Sequence, residues 1–303
     1  MSKALRVGIT LFRIDELTHG DMGKVLAMAE MADAKGVDML SIPDHICFSS
    51  DAAKDYPMGP DAFPGTLDEP WYEPLTLLAA IGARTKQILL STAVMIAPAR
   101  TAVMLAKQLA TLDCISNGRA VPVFGAGWQR AEFDSQNLPF EGRFTHMEEQ
   151  IQVCRALWSG GPQSFQGKFV QFEDLWSYPL PVQGAALPIW LGLSPSPRNI
   201  ERMARFADGW LPAMESLEKI KETRDKLSTS LEKHGRDPEN FDIRSSLIPV
   251  PHKSGGIDFD ATFAQAENMK AAGVTVIDTA PTLLTDRLDD LEMILDRLVA
   301  LRE

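Results

Sequence analysis

Ile88-Leu89-Leu90-Ser91-Thr92-Ala93-Val94 is an apolar run, followed by a segment in which Val103, Ala106, Leu109, Ala110 and Asp113 recur at helical spacing, then by a second run, Ala120-Val121-Pro122-Val123-Phe124. Short β-prone runs on either side of a 3.6-residue pattern read as strand, helix, strand. Such an order requires parallel pairing through a right-handed crossover. The alternation continues outward in both directions. Toward the N-terminus, residues 5–11 read as a strand. A helix spans about 21–35, with Val25, Met28, Ala29 and Ala32 on one face and Gly36 closing it, and residues 39–42 form the second strand. A helix bearing Leu75, Leu78, Ala79 and Gly82 then leads to the starting point. Toward the C-terminus, helices are expected at about 145–158, 196–206, 215–234, 259–272 and 284–301, with strands at 188–191, 209–211, 243–250 and 274–277.

Eight strand-then-helix units predict an α/β fold of the (β/α)8 TIM-barrel type, a single domain over residues 1–303. The order is interrupted at 159–187, after the fourth helix. There Ser164-Phe165-Gln166 and Lys168-Phe169-Val170 flank Gly167 and predict a hairpin-bearing insertion. A doubly wound dinucleotide sheet needs GxGxxG after its first strand, and Gly8-Ile9-Thr10-Leu11-Phe12 has no such loop.

The 303 residues carry 30 Lys and Arg against 41 Asp and Glu, a net charge of −11. Nucleic acids and anionic membrane surfaces attract clustered basic residues, so neither is expected as a partner. No apolar run approaches the roughly 18–20 residues of a spanning helix, and the start lacks the apolar stretch of a secretory signal. Cys47, Cys114 and Cys154 are odd in number and form no CxxC pair, which reads as reduced thiols, a cytoplasmic location and no zinc or other metal.

Barrels keep their chemistry where strands end and loops lead to helices. After the second strand stands Pro43-Asp44-His45: an imidazole able to exchange a proton near neutral pH beside a carboxylate able to fix its surroundings, or else a polar surface loop. After the fourth, Gly125-Ala126-Gly127-Trp128 lets backbone approach a planar ligand with Trp128 as a wall, or makes an ordinary tight turn with a core tryptophan. After the fifth, Gly192-Leu193-Ser194-Pro195-Ser196-Pro197 caps a helix, and the same free N–H groups and hydroxyls suit a phosphate. The loop from Cys47 to Trp71 is too long for a plain connection and reads as a lid, or else as a disordered surface loop. It holds Phe48, Tyr56, Phe63 and Trp71, and its charges are mostly acidic, which suits a small apolar substrate.

Five segments resemble the bacterial luciferase-like family of flavin and deazaflavin oxidoreductases. They are residues 37–45 (VDMLSIPDH), 72–78 (YEPLTLL), 106–113 (AKQLATLD) with Ser116-Asn117-Gly118-Arg119, Gly125-Ala126-Gly127-Trp128 with Glu132-Phe133, and Ala207-Asp208-Gly209-Trp210. The likeness covers about residues 5–212 and is densest over 37–144. It implies a cofactor ring across the C-terminal mouth of the barrel. In the coenzyme F420 branch the Asp-His pair reaches the ring edge, which carries over to Asp44 and His45. A non-proline cis peptide backs the ring at the end of strand three, which maps to Val94-Met95. Contacts to the ribityl-phosphate portion map to Gly125, Gly127, Gly192, Leu193 and Ser194, with Trp128 also at the cofactor.

The departures are specific. Gly192-Leu193 stands where the family often has a Gly-Gly pair. Trp128 occupies the position of the catalytic Glu of sugar-phosphate dehydrogenase members, and Phe48 or Ser49 that of their tryptophan, so that activity is disfavoured. The resemblance implies an F420-dependent oxidoreductase moving a hydride between the deazaflavin and an apolar organic substrate, with His45 as proton or hydrogen-bond donor. An FMN-dependent monooxygenase and a non-catalytic flavin-binding barrel are the alternatives. The acidic tail of F420 wants basic residues on the later loops, where Arg198 and Lys253 are the candidates. Family habit also implies a homodimer through the helices after strands two and three.

Overall fold

The computed structural model describes residues 3–63, 65–212 and 214–302. Two strands of the barrel are each broken once. The third runs Leu89–Thr92 and resumes as Met95–Ile96, and the fourth runs Ala120–Val121 and resumes as Val123–Gly125. The lower halves pair with each other (Leu90 with Ala120), and so do the upper halves (Met95 with Phe124). The upper half of the fourth strand continues the sheet onto Trp190–Leu191. From there it passes through Gly209–Trp210, Asp242–Ser246 and Val276–Thr279 to Arg6–Thr10 and Met39–Ile42, and so back to the third strand. Ten short segments thus make eight parallel strands in a closed ring. Pro122 accounts for the break in the fourth, since it has no N–H to give the ladder.

Side-chain alternation fills the ring. Met39, Val121, Val123, Trp190 and Val276 form an inner apolar cluster. Above it Arg244 is buried against Asp278, with Ser41, Thr10 and Ser246 completing the hydrogen bonds. A buried ion pair is tolerated when its remaining donors and acceptors are satisfied in this way. Burial pushes the Asp278 carboxyl up, but the Arg244 charge and the hydrogen bonds from Ser246, Arg244 and Thr10 outweigh it and hold it below the usual range. The opposite strand faces, among them Ile9, Leu40, Leu90, Phe124, Leu191 and Ile277, pack under the surrounding helices.

The main helices are Met22–Lys35, Pro74–Arg84, Ala102–Ser116, Arg143–Trp158, Pro197–Phe206, Leu217–Lys233, Phe259–Ala272 and Leu291–Ala300. Their starts carry the caps expected of their sequences: Asp21, Glu73, Ser196, Ser216 and Asp258 each accept a first-turn N–H. The last helix begins seven residues later than the pattern predicts. Thr285 donates to Asp290 and accepts from the Arg287 N–H, which holds residues 285–287 outside the helix, and Leu288–Asp290 form a 3-10 turn before it. The eighth strand starts at Val276 and not Val274, because the Val274 N–H closes the preceding helix onto Met269. The seventh ends at Ser246, four residues short of expectation; beyond it Pro251 bridges Ile257 across a separate turn.

Several of the resemblance segments lie at the floor of the barrel, where strands begin. Arg119 donates to the carbonyls of Gly82, Thr85, Ile88 and Ser116. Asp208 accepts from Arg155, Arg236 and the Ile189 N–H. Gly209 leaves room for the Trp190 ring, which would lie 2.5 Å from any Cβ there. These groups hold strand to helix and stand away from the mouth.

The insertion forms its own two-stranded sheet, Gln163–Gln166 against Gln171–Leu175. Lys168, Phe169 and Val170 form its turn and not its second arm. Their three N–H groups all donate to the Glu149 carboxylate on the fourth helix, at 2.8, 2.8 and 3.0 Å. Glu149→Ala leaves those donors without that partner and should lower the unfolding free energy by about 1–3 kcal/mol, read from urea titration. An unchanged midpoint would show that other contacts hold the hairpin.

Candidate active site

The second strand delivers Asp44 and His45 to the mouth, and the two side chains part company there. Asp44, 4% exposed, accepts from the Ile96 N–H at 2.9 Å and from both terminal nitrogens of Arg100 at 2.6 and 3.0 Å. Arg100 also reaches Glu73 at 3.0 Å, the cap of the second helix. Burial pulls the Arg100 guanidinium down, but its carboxylate partners outweigh that and leave it above its ordinary value. Asp44 is thus the anchor of a clamp joining the ends of strands two and three to the second helix. The carboxylate that meets His45 is a different one. Glu132, fully buried, stands 3.0 Å from His45 Nδ1 and accepts from the Ile46 N–H at 2.8 Å.

The long loop packs its rings around this imidazole. Phe48 and Trp71 lie 4.7 Å from it and Trp128 5.6 Å, centroid to centroid. Phe63 backs Phe48, and Tyr56 lies against both Phe63 and Trp128. Edge-to-face pairs of this kind are favourable beyond their buried area. The loop contains two short helical turns, Ala52–Asp55 and Pro60–Ala62. Gln129 ties its root to the fourth-strand loop by accepting from the Ser49 N–H and donating to the Cys47 carbonyl, both at 2.7 Å. Burial pushes the Tyr56 phenol up, and burial together with Asp15 takes Tyr72 up to about 12. The apolar rings exclude water from one side of His45, whose side chain keeps 12% exposure.

At the end of strand three the cis peptide lies at Ala93-Val94, one bond before the Val94-Met95 position expected. The glycines beside it are occupied by protein. A Cβ at Gly125 would stand 2.6 Å from one Val94 methyl, and a Cβ at Gly192 2.3 Å from the other. Val94 therefore sits in a cradle that those two glycines leave open. Met95 and Leu193 turn into the core and are buried, with Leu193 offering its carbonyl to Trp210 Nε1. Gly127 has φ +73°, and a Cβ there would meet Ile96 and the Phe133 ring. Its carbonyl accepts from Arg143 Nε at 3.0 Å, while that guanidinium lies over Phe140 and meets no carboxylate among the described residues. Ser194 is exposed and its carbonyl accepts from Asn199; Ser196 is the helix cap. Arg198 and Lys253 are exposed on the loops after strands five and seven.

Sequence reasoning missed Glu132, Gln129, Arg100 and Arg143 as parts of this site. Glu132 stood in a segment that resembles the family, one helical turn after the glycine-bearing loop, but carried no assigned role; the signal for Arg100 was position alone, at the end of the third strand's loop. Among the described residues no group of three His, Cys, Asp or Glu side chains is placed to hold a metal ion.

A closed parallel barrel with an imidazole, an aromatic cover and a glycine-lined bulge at its mouth has its candidate site where barrels of this kind keep their chemistry. The luciferase-like monooxygenase family model matches residues 8–254, and the chain belongs to that family of oxidoreductases and monooxygenases. An uncharacterised protein of Mycobacterium tuberculosis is 32% identical over 233 residues, 75% of this chain and 80% of its own. The fold superposes on the coenzyme F420-dependent tetrahydromethanopterin reductase of Methanopyrus kandleri with a TM-score of 0.73 at 18% identity, covering 100% of both chains. It also superposes on the oxygenating constituent of 3,6-diketocamphane monooxygenase from the CAM plasmid of Pseudomonas putida, solved with FMN, with a TM-score of 0.72 at 14% identity, covering 98% of both chains.

Asp44→Ala should cost about 3 kcal/mol of stability, because it strands the Arg100 charge with Glu73 as its one remaining carboxylate. The double variant Asp44→Ala/Arg100→Met should recover part of that loss, since an apolar side chain needs no counter-charge. Urea unfolding of the two variants checks both statements; equal loss in both would show that the ion pair is not what Asp44 contributes.

Proposed function

We propose that the chain is an F420-dependent oxidoreductase that transfers a hydride between the deazaflavin and a small apolar organic substrate. The observation that carries the reading is His45: it stands at the mouth with Nδ1 engaged by Glu132, no hydrogen bond to Nε2 among the described residues, and Phe48, Trp71 and Trp128 around it. The donor set suits a tricyclic cofactor with a phosphate. Val94 in its glycine cradle offers a smooth apolar floor, while Arg143, with no carboxylate partner among the described residues, and the hydroxyls of Ser194 and Ser196 suit an anion. Such a cofactor, when bound, supplies the hydride acceptor or donor. The chain itself positions the reactants, excludes water through its aromatic loop and moves a proton at His45.

FMN is the second reading, and one observation favours it. Arg198 and Lys253 are a thin basic supply for the acidic F420 tail in a chain of charge −11. The three free cysteines suit the reducing cytoplasm. Titrating the apoprotein with each cofactor at equal salt decides between them. Micromolar or tighter F420 binding with feeble FMN binding is expected, and the reverse order replaces the proposal with a flavin monooxygenase. In the loaded enzyme, His45→Ala should lower kcat by about 10²–10⁴ while cofactor affinity stays within a few-fold.

A homodimer is the proposed assembly. Met104 and Ile115 on the third helix are exposed, and so are Trp176, Tyr178 and Val182 on the insertion, which Lys107 ties to that helix through the Tyr178 carbonyl. These exposed apolar side chains are the proposed contact surface. Sedimentation should give twice the 33.4 kDa chain mass; a strict monomer at micromolar concentration removes the assignment.

A further inference from the structure

Glu132 is an acidic side chain with no cation paired to it among the described residues, yet it is wholly buried. It lies in the short helix Arg130–Asp134 behind His45, and one of its oxygens does two jobs. Oε1 accepts from the Ile46 backbone N–H at 2.8 Å and faces His45 Nδ1 at 3.0 Å, while Oε2 is sealed from solvent with no partner among the described residues. With Glu132 as a carboxylate, which can only accept, the His45 contact places the proton on Nδ1. In the neutral ring Nε2 is then bare. It is also the nitrogen without a protein hydrogen bond among the described residues.

The other charged and titratable groups near His45 are spent on their own partners. Asp44, its neighbour in sequence, is bound by Arg100 and the Ile96 N–H. Cys47 lies by Ser135 Oγ. On the loop side, Tyr56 is separated from the imidazole by Trp128 and by Phe63 with Phe48, and Tyr72 is bound to Asp15. Arg13, near the Trp71 side, is paired with Glu16 and Glu69. Glu132 is therefore the carboxylate able to act on the imidazole directly.

We propose that Glu132 is the positioning residue of the site: it fixes the Nδ1–H form of His45, presents Nε2 to the reactant as the atom that takes or gives the proton, and balances the imidazolium charge. The proton step conserves charge and electrons. A reactant O–H bond breaks, an N–H bond forms at Nε2, and the electron pair stays on the oxygen; in the opposite direction the imidazolium returns the proton. A buried carboxylate behind an imidazole serves the same end in hydrolytic triads, where its loss leaves the ring in the wrong form. This assignment rests on His45 as the proton-handling residue, and its test does not depend on turnover alone.

Nitrogen-15 spectra of the imidazole in the purified protein, with no cofactor added, should show the neutral His45 ring protonated at Nδ1 and bare at Nε2. Glu132→Gln keeps an accepting oxygen and the side-chain shape, so the same ring form should persist. Without the negative charge, kcat of the loaded enzyme should fall by about 10²-fold with KM and cofactor affinity within about two-fold. Glu132→Leu should release the ring to a mixture of its two neutral forms; if that variant does not fold, the wild-type and Gln spectra still decide. A wild-type ring protonated at Nε2, or a Glu132→Gln enzyme turning over at the wild-type rate, overturns the proposal. Full turnover by His45→Ala overturns the functional reading of His45 and leaves the ring-form assignment standing.

Discussion

Arg100 bridging Asp44 and Glu73 is the interaction on which the geometry of the mouth depends. Its guanidinium joins the end of strand two to the start of the second helix, and its own backbone leaves strand three. Asp44 completes the tie by accepting from the Ile96 N–H in the resumed half of that strand. Burial makes the Asp44 hydrogen bonds costly to break, because their loss leaves a charge without water, whereas the Glu73 carboxylate keeps access to solvent. His45 comes immediately after the clamp, so its backbone is fixed before any contact of its ring is made. The ring is then aimed by Glu132 from strand four's loop and walled by aromatics from the long loop. Three separate chain segments therefore converge on one imidazole.

The division of labour between the two ends of the barrel follows from strand direction. All eight strands run the same way, so their C-terminal ends form one face, and the loops there are free to vary while the strands stay paired. The segments that resemble the luciferase-like family fall on both faces. Asp44-His45, Gly125-Ala126-Gly127-Trp128 and Glu132-Phe133 lie at the mouth. Ser116-Asn117-Gly118-Arg119 and Ala207-Asp208-Gly209-Trp210 lie at the floor, where Arg119 and Asp208 satisfy backbone groups that strand starts would otherwise leave buried and unpaired. Asp33 belongs with them, accepting the N–H groups of Lys86, Gln87 and Ile88. A shared motif is thus as often a fold requirement as a chemical one.

The bulge at strand three shows how closely fold and site are joined. Val94 packs where neither Gly125 nor Gly192 has a side chain, so the three residues form one unit drawn from three consecutive strands. The glycines are required by Val94 whatever lies above it. Val94 keeps partial exposure and packs against the inner apolar cluster of the ring, so its side chain offers no hydrogen bond.

The number and order of strands and helices were legible in the sequence, because apolar periodicity and capping residues are local properties. Asp21, Ser196 and Gly36 mark their helix ends by their own chemistry. The position of His45 at the mouth was legible for the same reason: it follows directly on a strand. Where local hydrogen bonds compete, as at Thr285–Asp290 and at Val274, periodicity misplaced the boundary. Partnership was not legible at all. Asp44 adjoins His45 in sequence, yet neighbouring residues at a strand end point to different sides, and Asp44 is taken by Arg100, 56 residues away. The carboxylate that does meet the ring is 87 residues distant. Only barrel closure, which brings strands two and four to the same rim, decides that pairing.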